Sequence, residues 1–393
     1  MFKQSTLIYS SDLFANPDLS IYIVNDKSIF RDNLVAIINQ QGEFEIKLNR
    51  DDIPLLIDDL CNAVELLITK IKSGLAKDQI PVALVDSDTG LASRGHSTLN
   101  RIFSKEALDF IDLVFKGLNK KERPVLEIVS GFFLIPWEWL YREPPQNIDA
   151  TKGLKSTMDP FWGLSYIIAR MSPPIHTSYN NKKTISAPPK IGVVADDTLQ
   201  FAKEEIEWLK TIEKDGKIAL KIFRISAKAN DWDFIEGVNS FLSKDFDILH
   251  LACHAEYMKE SKLSSYFSAA HGRKYQIRNM TSHPPVKIKA PLVFFNACST
   301  GIRNPLETFN FVNEFENAGA SNVIAVEESV ETEVAYNFAQ TFYSYLLDGM
   351  DLGEALLKTR IDLISANRNS ADVVTLFYSL YGNPRVKILQ IKH

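Results

Sequence analysis

Cysteine is scarce: 393 residues hold three, Cys61, Cys253 and Cys298. An odd number without any CxxC pair offers neither a disulfide framework nor zinc-finger spacing. Long apolar runs are missing too. No stretch reaches the ~18 apolar residues that a membrane span needs. The opening Met1-Phe2-Lys3-Gln4-Ser5 lacks the apolar core of a secretory signal. A net charge of −5 is too mild to argue for a nucleic-acid partner. Neither GxGxxG nor a phosphate-binding GxxxxGK motif occurs, which argues against a nucleotide-binding doubly wound protein. What remains is an expectation of a cytoplasmic, reducing setting, where a thiol stays free.

What is present is ordinary for a globular protein with a real core: 45% apolar and 24% charged residues. At about 150 residues per domain, the length suggests two or three domains.

Two stretches organise the chain. Pro291-Leu292-Val293-Phe294-Phe295-Asn296-Ala297-Cys298-Ser299-Thr300-Gly301 reads as a strand buried on both faces that ends on a cysteine. Phe246-Asp247-Ile248-Leu249-His250-Leu251-Ala252-Cys253-His254 has the same build and ends on a histidine. The carboxyl ends of parallel strands form the crevice where ligands bind. If the two strands are neighbours, a thiol and an imidazole meet there, as a cysteine hydrolase requires.

Before them, a strand is expected at 20–26, a helix from Asp51 to Ser73, a polar loop at 87–97 and a helix from Ser104 to Leu118. Strands are expected at 124–130 and 163–170, with a three-proline loop at 144–160. The Trp137 and Trp139 region reads as core packing. Residues 172–190, rich in Pro, Asn and Lys, read as a connection between lobes. Beyond it strands and helices alternate: strands at 190–195, 218–225, 246–254, 291–298 and 322–326, helices at 200–214, 231–243, 305–318, 331–347 and 353–366. That alternation indicates an α/β lobe with a parallel sheet. Residues 256–289 read as a long polar loop beside the site, a candidate gate or activation segment.

These motifs resemble the CHAT peptidases, caspase-like cysteine proteases. The resemblance is carried by Leu249-His250-Leu251-Ala252-Cys253-His254 and by the Cys298 stretch. Ala318-Gly319-Ala320-Ser321-Asn322-Val323-Ile324-Ala325, Tyr381-Gly382-Asn383-Pro384, Pro136-Trp137-Glu138 and Gly163-Leu164-Ser165-Tyr166 also match. No tetratricopeptide repeat is visible, so the chain resembles a free-standing member. The resemblance implies a caspase-like parallel sheet flanked by helices. A degenerate amino-terminal lobe (1–175) would be joined by a linker (176–189) to an active lobe (190–393). It implies a His254–Cys298 dyad, endopeptidase activity on a protein substrate without metal or organic cofactor, and control by a partner, signal or self-cleavage in bacterial defence or cell death.

The backbone N–H groups of Ala255 and Cys298 would form the oxyanion hole. A glycine usually follows the histidine in caspase-like enzymes; Ala255 keeps the donor but not that residue. Asp196, Asp197, Asn296 and Glu328 are the expected pocket for the side chain before the cleaved bond, and carboxylates there would favour Lys or Arg. Many family members carry an aromatic at about Glu328. The plainer alternatives are a helix-capping loop for Asp196-Asp197 and a solvated face for the run Glu327, Glu328, Glu331 and Glu333. His250, in mid-strand, reads as a hydrogen-bonded core residue, and Cys253 points to the face opposite His254. A catalytically silent adaptor is the rival reading, and retention of both His254 and Cys298 argues against it.

Overall fold

The computed structural model describes residues 18–26, 33–38, 42–46, 52–117, 124–130, 135–171, 184–258, 261–281, 284–297, 305–328, 330–366 and 370–389. The amino-terminal half contains β1 (Leu19–Asp26), β2 (Asn33–Ile38), β3 (Gly42–Ile46), α1 (Ile53–Lys72), α2 (Ile80–Val85), α3 (Leu91–Ile102) and α4 (Lys105–Gly117). It closes with β4 (Val125–Val129), α5 (Leu154–Met158), α6 (Trp162–Ser165) and β5 (Ile167–Met171).

The second half begins with β6 (Thr184–Ser186), β7 (Lys190–Ala195), α7 (Gln200–Lys214), β8 (Ala219–Ile222), α8 (Asp231–Leu242) and β9 (Ile248–Cys253). Then come β10 (Ala255–Glu256), β11 (Tyr266–Ala269), β12 (Arg273–Gln276) and β13 (Leu292–Ala297). α9 (Pro305–Asn317), β14 (Asn322–Val326), α10 (Thr332–Leu347), α11 (Leu352–Ala366), β15 (Tyr378–Gly382) and β16 (Lys387–Leu389) complete it.

One eleven-stranded sheet, ordered β3-β2-β1-β4-β5-β15-β14-β13-β9-β7-β8, runs through both halves. The strands from β14 to β8 are mutually parallel. β15 is antiparallel to β14 and parallel to β5, so a strand from the end of the chain is the seam between halves. This is the expected α/β architecture, a mostly parallel sheet flanked by helices. Strand alternation divides the core. Ile248, Ala252, Leu292 and Phe294 face a cluster with Phe201 and Leu209 of α7 and Phe338 and Phe342 of α10. Leu249, Leu251, Cys253, Val293 and Phe295 face Phe234 and Phe241 of α8 and Phe311 and Phe315 of α9.

Five local expectations need correction. Residues 91–97 are helical, not loop. Gly95 is there because a Cβ would stand 2.3 Å from the carbonyl oxygen of Trp139, so α3 packs hard against the Trp137–Trp139 turn. Residues 162–165 form a helical turn ahead of β5, and 154–158 a short helix inside the three-proline segment. The expected linker includes β6, which pairs with β16; residues 172–183 lie outside the described residues. The 256–289 segment is no open loop: β10, β11 and β12 make a small antiparallel sheet. Its Phe267 and Tyr275 are fully buried, and Phe267 packs on Phe295 at 6.4 Å between ring centres. Alternating aromatics hidden among polar residues carried that sheet.

A buried charge cluster closes the seam. Arg170 of β5 donates to Glu327, beyond β14, and to Glu138, from the Trp137–Trp139 turn. Tyr381 of β15 donates to Glu327 at 2.7 Å, and Arg360 of α11 lies 3.7 Å from Glu138. All five side chains are buried. Glu327 is therefore neither a pocket wall nor a solvated residue: its carboxylate is occupied by Arg170 inside the fold. Removing one partner from such a pair strands the other charge in low dielectric. Arg170→Ala is expected to cost about 3–5 kcal/mol in denaturant unfolding, and adding Glu138→Gln and Glu327→Gln to recover part of it. A loss below about 1 kcal/mol, the scale of a surface pair, would contradict this account of the seam.

Candidate active site

β7, β9, β13 and β14 end at one edge of the sheet because they are parallel. The chain places β8 on one side of β7 and β9 on the other, so strand order reverses between β7 and β9. Crevices open at such a switch point. β9 and β13 sit side by side at the centre. All six residues of each are buried, as their near-continuous apolar sequences require. Their register pairs Leu292 with Ile248 and, at the upper end, Ala297 with Cys253. The residues next in sequence are Cys298 and His254.

His254 is half-buried just past the end of β9. Its backbone is held from both sides by one residue. The His254 N–H donates to Ser268 Oγ at 2.9 Å, and the Ser268 N–H donates to the His254 carbonyl at 2.6 Å. Ser268 lies on β11 and is itself buried. The β10–β12 sheet thus fixes where the histidine leaves the strand. Ala255, fully buried, pairs with Phe267 in the same small sheet. Cys298 and Gly301 lie outside the described residues.

The expected pocket residues are dispersed. Asp196 follows β7 and is 3% exposed; its Oδ1 accepts from the Thr198 N–H at 3.0 Å and its hydroxyl at 2.6 Å. That is a turn-forming role, not the helix cap offered as its alternative, since the residue capping α7 is Leu199 and no side chain caps the helix. Asp197 is about two-fifths exposed and accepts from the backbone N–H of His271 at 2.6 Å. His271 sits at φ 63°, in the turn between β11 and β12. Asn296 is fully buried: its amide donates to Glu205 at 2.6 Å and accepts from the Tyr378 hydroxyl at 2.7 Å. Glu328 follows β14 and is 3% exposed. Of these four, Asp197 is the one whose carboxylate is partly exposed, with Oδ2 3.6 Å from His271 Nδ1.

Two groups near the site were not read from sequence. Ser268 lies in the 256–289 segment, whose polar sequence reads as loop. Glu205 stood on the apolar stripe of α7, with Phe201, Ala202, Ile206 and Leu209, where a carboxylate is out of place; that position was its signal. His250 is the hydrogen-bonded core residue expected, with Nε2 2.6 Å from Glu205 and Nδ1 3.1 Å from the Tyr343 hydroxyl. Cys253 is buried on the face of β9 opposite Ala252. Burial pushes the Cys61 thiol up, which keeps it unreactive. Among the described residues, no cluster of His, Cys, Asp and Glu could hold a metal ion, and no helix is long and apolar enough to cross a membrane.

The CHAT domain matches residues 177–384, more than half of the chain. Among solved structures, the complex of Porphyromonas gingivalis RgpB pro- and mature domains is similar at 8% identity and a TM-score of 0.47, over 72% of this chain and 70% of that one. The Arg-specific cysteine proteinase gingipain R is similar at 9% identity and 0.44, over 72% and 68%. The Saccharomyces cerevisiae separase–securin complex is similar at 11% and 0.48, over 94% of this chain and 30% of that chain. No curated protein matches.

Deleting the Ser268 hydroxyl leaves a partly buried backbone N–H without its acceptor. Ser268→Ala is expected to lose about 1–3 kcal/mol of stability by urea unfolding. An unchanged midpoint would mean that the His254 backbone is held elsewhere.

Proposed function

The chain belongs to the CHAT domain family, and from that membership we propose that it is a cysteine endopeptidase acting through His254 and Cys298. The observation that carries the reading is the β9–β13 register. It pairs the two residues that immediately precede the histidine and the cysteine, at the edge where four parallel strands end. His254 takes the thiol proton, and the Cys298 sulfur attacks the carbonyl carbon of the scissile peptide bond. The N–H groups of Ala255 and Cys298 receive the developing oxyanion. The C–N bond breaks as the imidazolium protonates the leaving amine. Water, activated by His254, then cleaves the thioester and restores the thiol. No metal or organic cofactor enters these steps.

The substrate is one protein, and activity is held until a partner or signal releases it. Preference before the cleaved bond is for Arg or Lys, a reading supported by the partly exposed Asp197 carboxylate beyond β7, which also faces His271 Nδ1 at 3.6 Å.

Intact-protein mass after exposure to peptidyl acyloxymethyl ketones carrying Arg, Lys, Leu or Asp tests this directly. One adduct is expected, on Cys298, strongest with the basic probes, absent in Cys298→Ala and slowed about 100-fold or more in His254→Ala. Preference for the Leu or Asp probe would remove the basic pocket. A folded protein that resists every probe, with candidate partners added, would favour the silent adaptor.

A further inference from the structure

Beneath the strand ends lies a polar group that the peptidase steps do not use. Glu205, 1% exposed, projects from α7 onto the sheet face that carries His250, Ala252 and Asn296. One carboxyl oxygen is 2.6 Å from His250 Nε2 on β9, and the other accepts from Asn296 Nδ2 at 2.6 Å on β13. A single carboxyl group therefore bridges the two central strands. Asn296 stands opposite Ala252, one pleat above the His250–Phe294 pair. It precedes Cys298 by two residues, and His250 precedes His254 by four, so the bridge is built into the same alternation that carries the dyad.

Burial is costly here and pushes the Glu205 carboxyl up, against the pull of His250 and Asn296. An apolar residue would pack on this stripe more cheaply. What the carboxyl adds is register. The apolar alternation of β9 and β13 resists a slip of one residue, which would turn every side chain to the wrong face. It does not resist a slip of two, which preserves both faces. Such a slip moves one strand by about 6.6 Å, and no single carboxyl could then reach both His250 and Asn296. The same slip would carry Cys298 away from His254.

We propose that Glu205 is a positioning residue: by bridging His250 and Asn296 it locks β9 and β13 in the register that holds His254 and Cys298 level. This rests on the His254–Cys298 reading. The titratable groups facing Glu205 are His250 from β9 and Tyr336 and Tyr343 from α10, with Tyr378 of β15 acting through Asn296.

The test is the pH dependence of iodoacetamide alkylation at Cys298, followed on its own peptide, so that neither substrate nor activator is required. A thiolate paired with imidazolium alkylates with a midpoint well below the ordinary ~8.5. His254→Ala is expected at about 8.5, wild type below it, and Glu205→Ala at least about one pH unit above wild type. Glu205→Gln is expected to restore most of the difference. Its amide oxygen accepts from Asn296 while its NH2 donates to His250 Nε2, with His250 Nδ1–H turned to Tyr343. A purely structural role would lower the melting temperature of Glu205→Ala and leave the midpoint of the folded protein at the wild-type value; that result overturns the proposal. If Glu205→Ala does not fold, Asn296→Ala is read in the same way, a rise supporting the lock and no rise overturning it. Coincidence of wild type with His254→Ala would instead bring down the dyad, and the proposal with it.

Discussion

Everything the site can do depends on how β9 and β13 lie against each other. Backbone hydrogen bonds alone tolerate several parallel registers; side chains choose one. Here Ala297 stands level with Cys253. The next residues in sequence are His254 and Cys298, and the His254 backbone is held further by Ser268. The strands on either side, β7 and β14, bring Asp196-Asp197 and Glu327-Glu328 to the same edge. A parallel sheet with its strand order reversing at the centre makes an edge of this kind without further design.

Two buried polar groups stand where apolar residues would have been cheaper, and each lies at a junction. Arg170, Glu138 and Glu327 tie the two halves at β5, β14 and β15. Glu205 ties the two central strands to α7 and, through Tyr343 and Tyr378, to α10 and β15. Charges desolvated this completely contribute little net stability against hydrophobic replacement. What they do is penalise every arrangement in which their partners part. The β10–β12 sheet acts on the other side of the edge, where Ser268 binds both backbone groups of His254.

Much of this was legible in the sequence. Continuous apolar runs marked β9 and β13, and the alternation of strands and helices marked β7, β14, α7, α8 and α10 around them. The family resemblance on the histidine and cysteine motifs is matched by the CHAT domain over 177–384. What escaped detection is tertiary. Gly95 looked like a loop residue because nothing local shows that Trp139 presses against it. β11 and β12 looked like loop because only Tyr266, Phe267 and Tyr275 break their polar sequence. The strand sequence offers Asn296 as a pocket residue because it says nothing of Glu205, ninety-one residues away in the chain. Charged side chains on apolar stripes, Glu205 and Arg170 among them, were the available sign of buried networks.

The central claim is that the sheet register holds His254 and Cys298 face to face. A crystal structure of the protein covalently bound to a basic peptidyl ketone tests it most directly. The account predicts the Cys298 sulfur bonded to the probe, an imidazole nitrogen of His254 within about 4 Å of that sulfur, and the β9–β13 pairing unchanged. A ring lying beyond about 6 Å, with the strands still paired Ala297 to Cys253, would be outside hydrogen-bond reach and would contradict it.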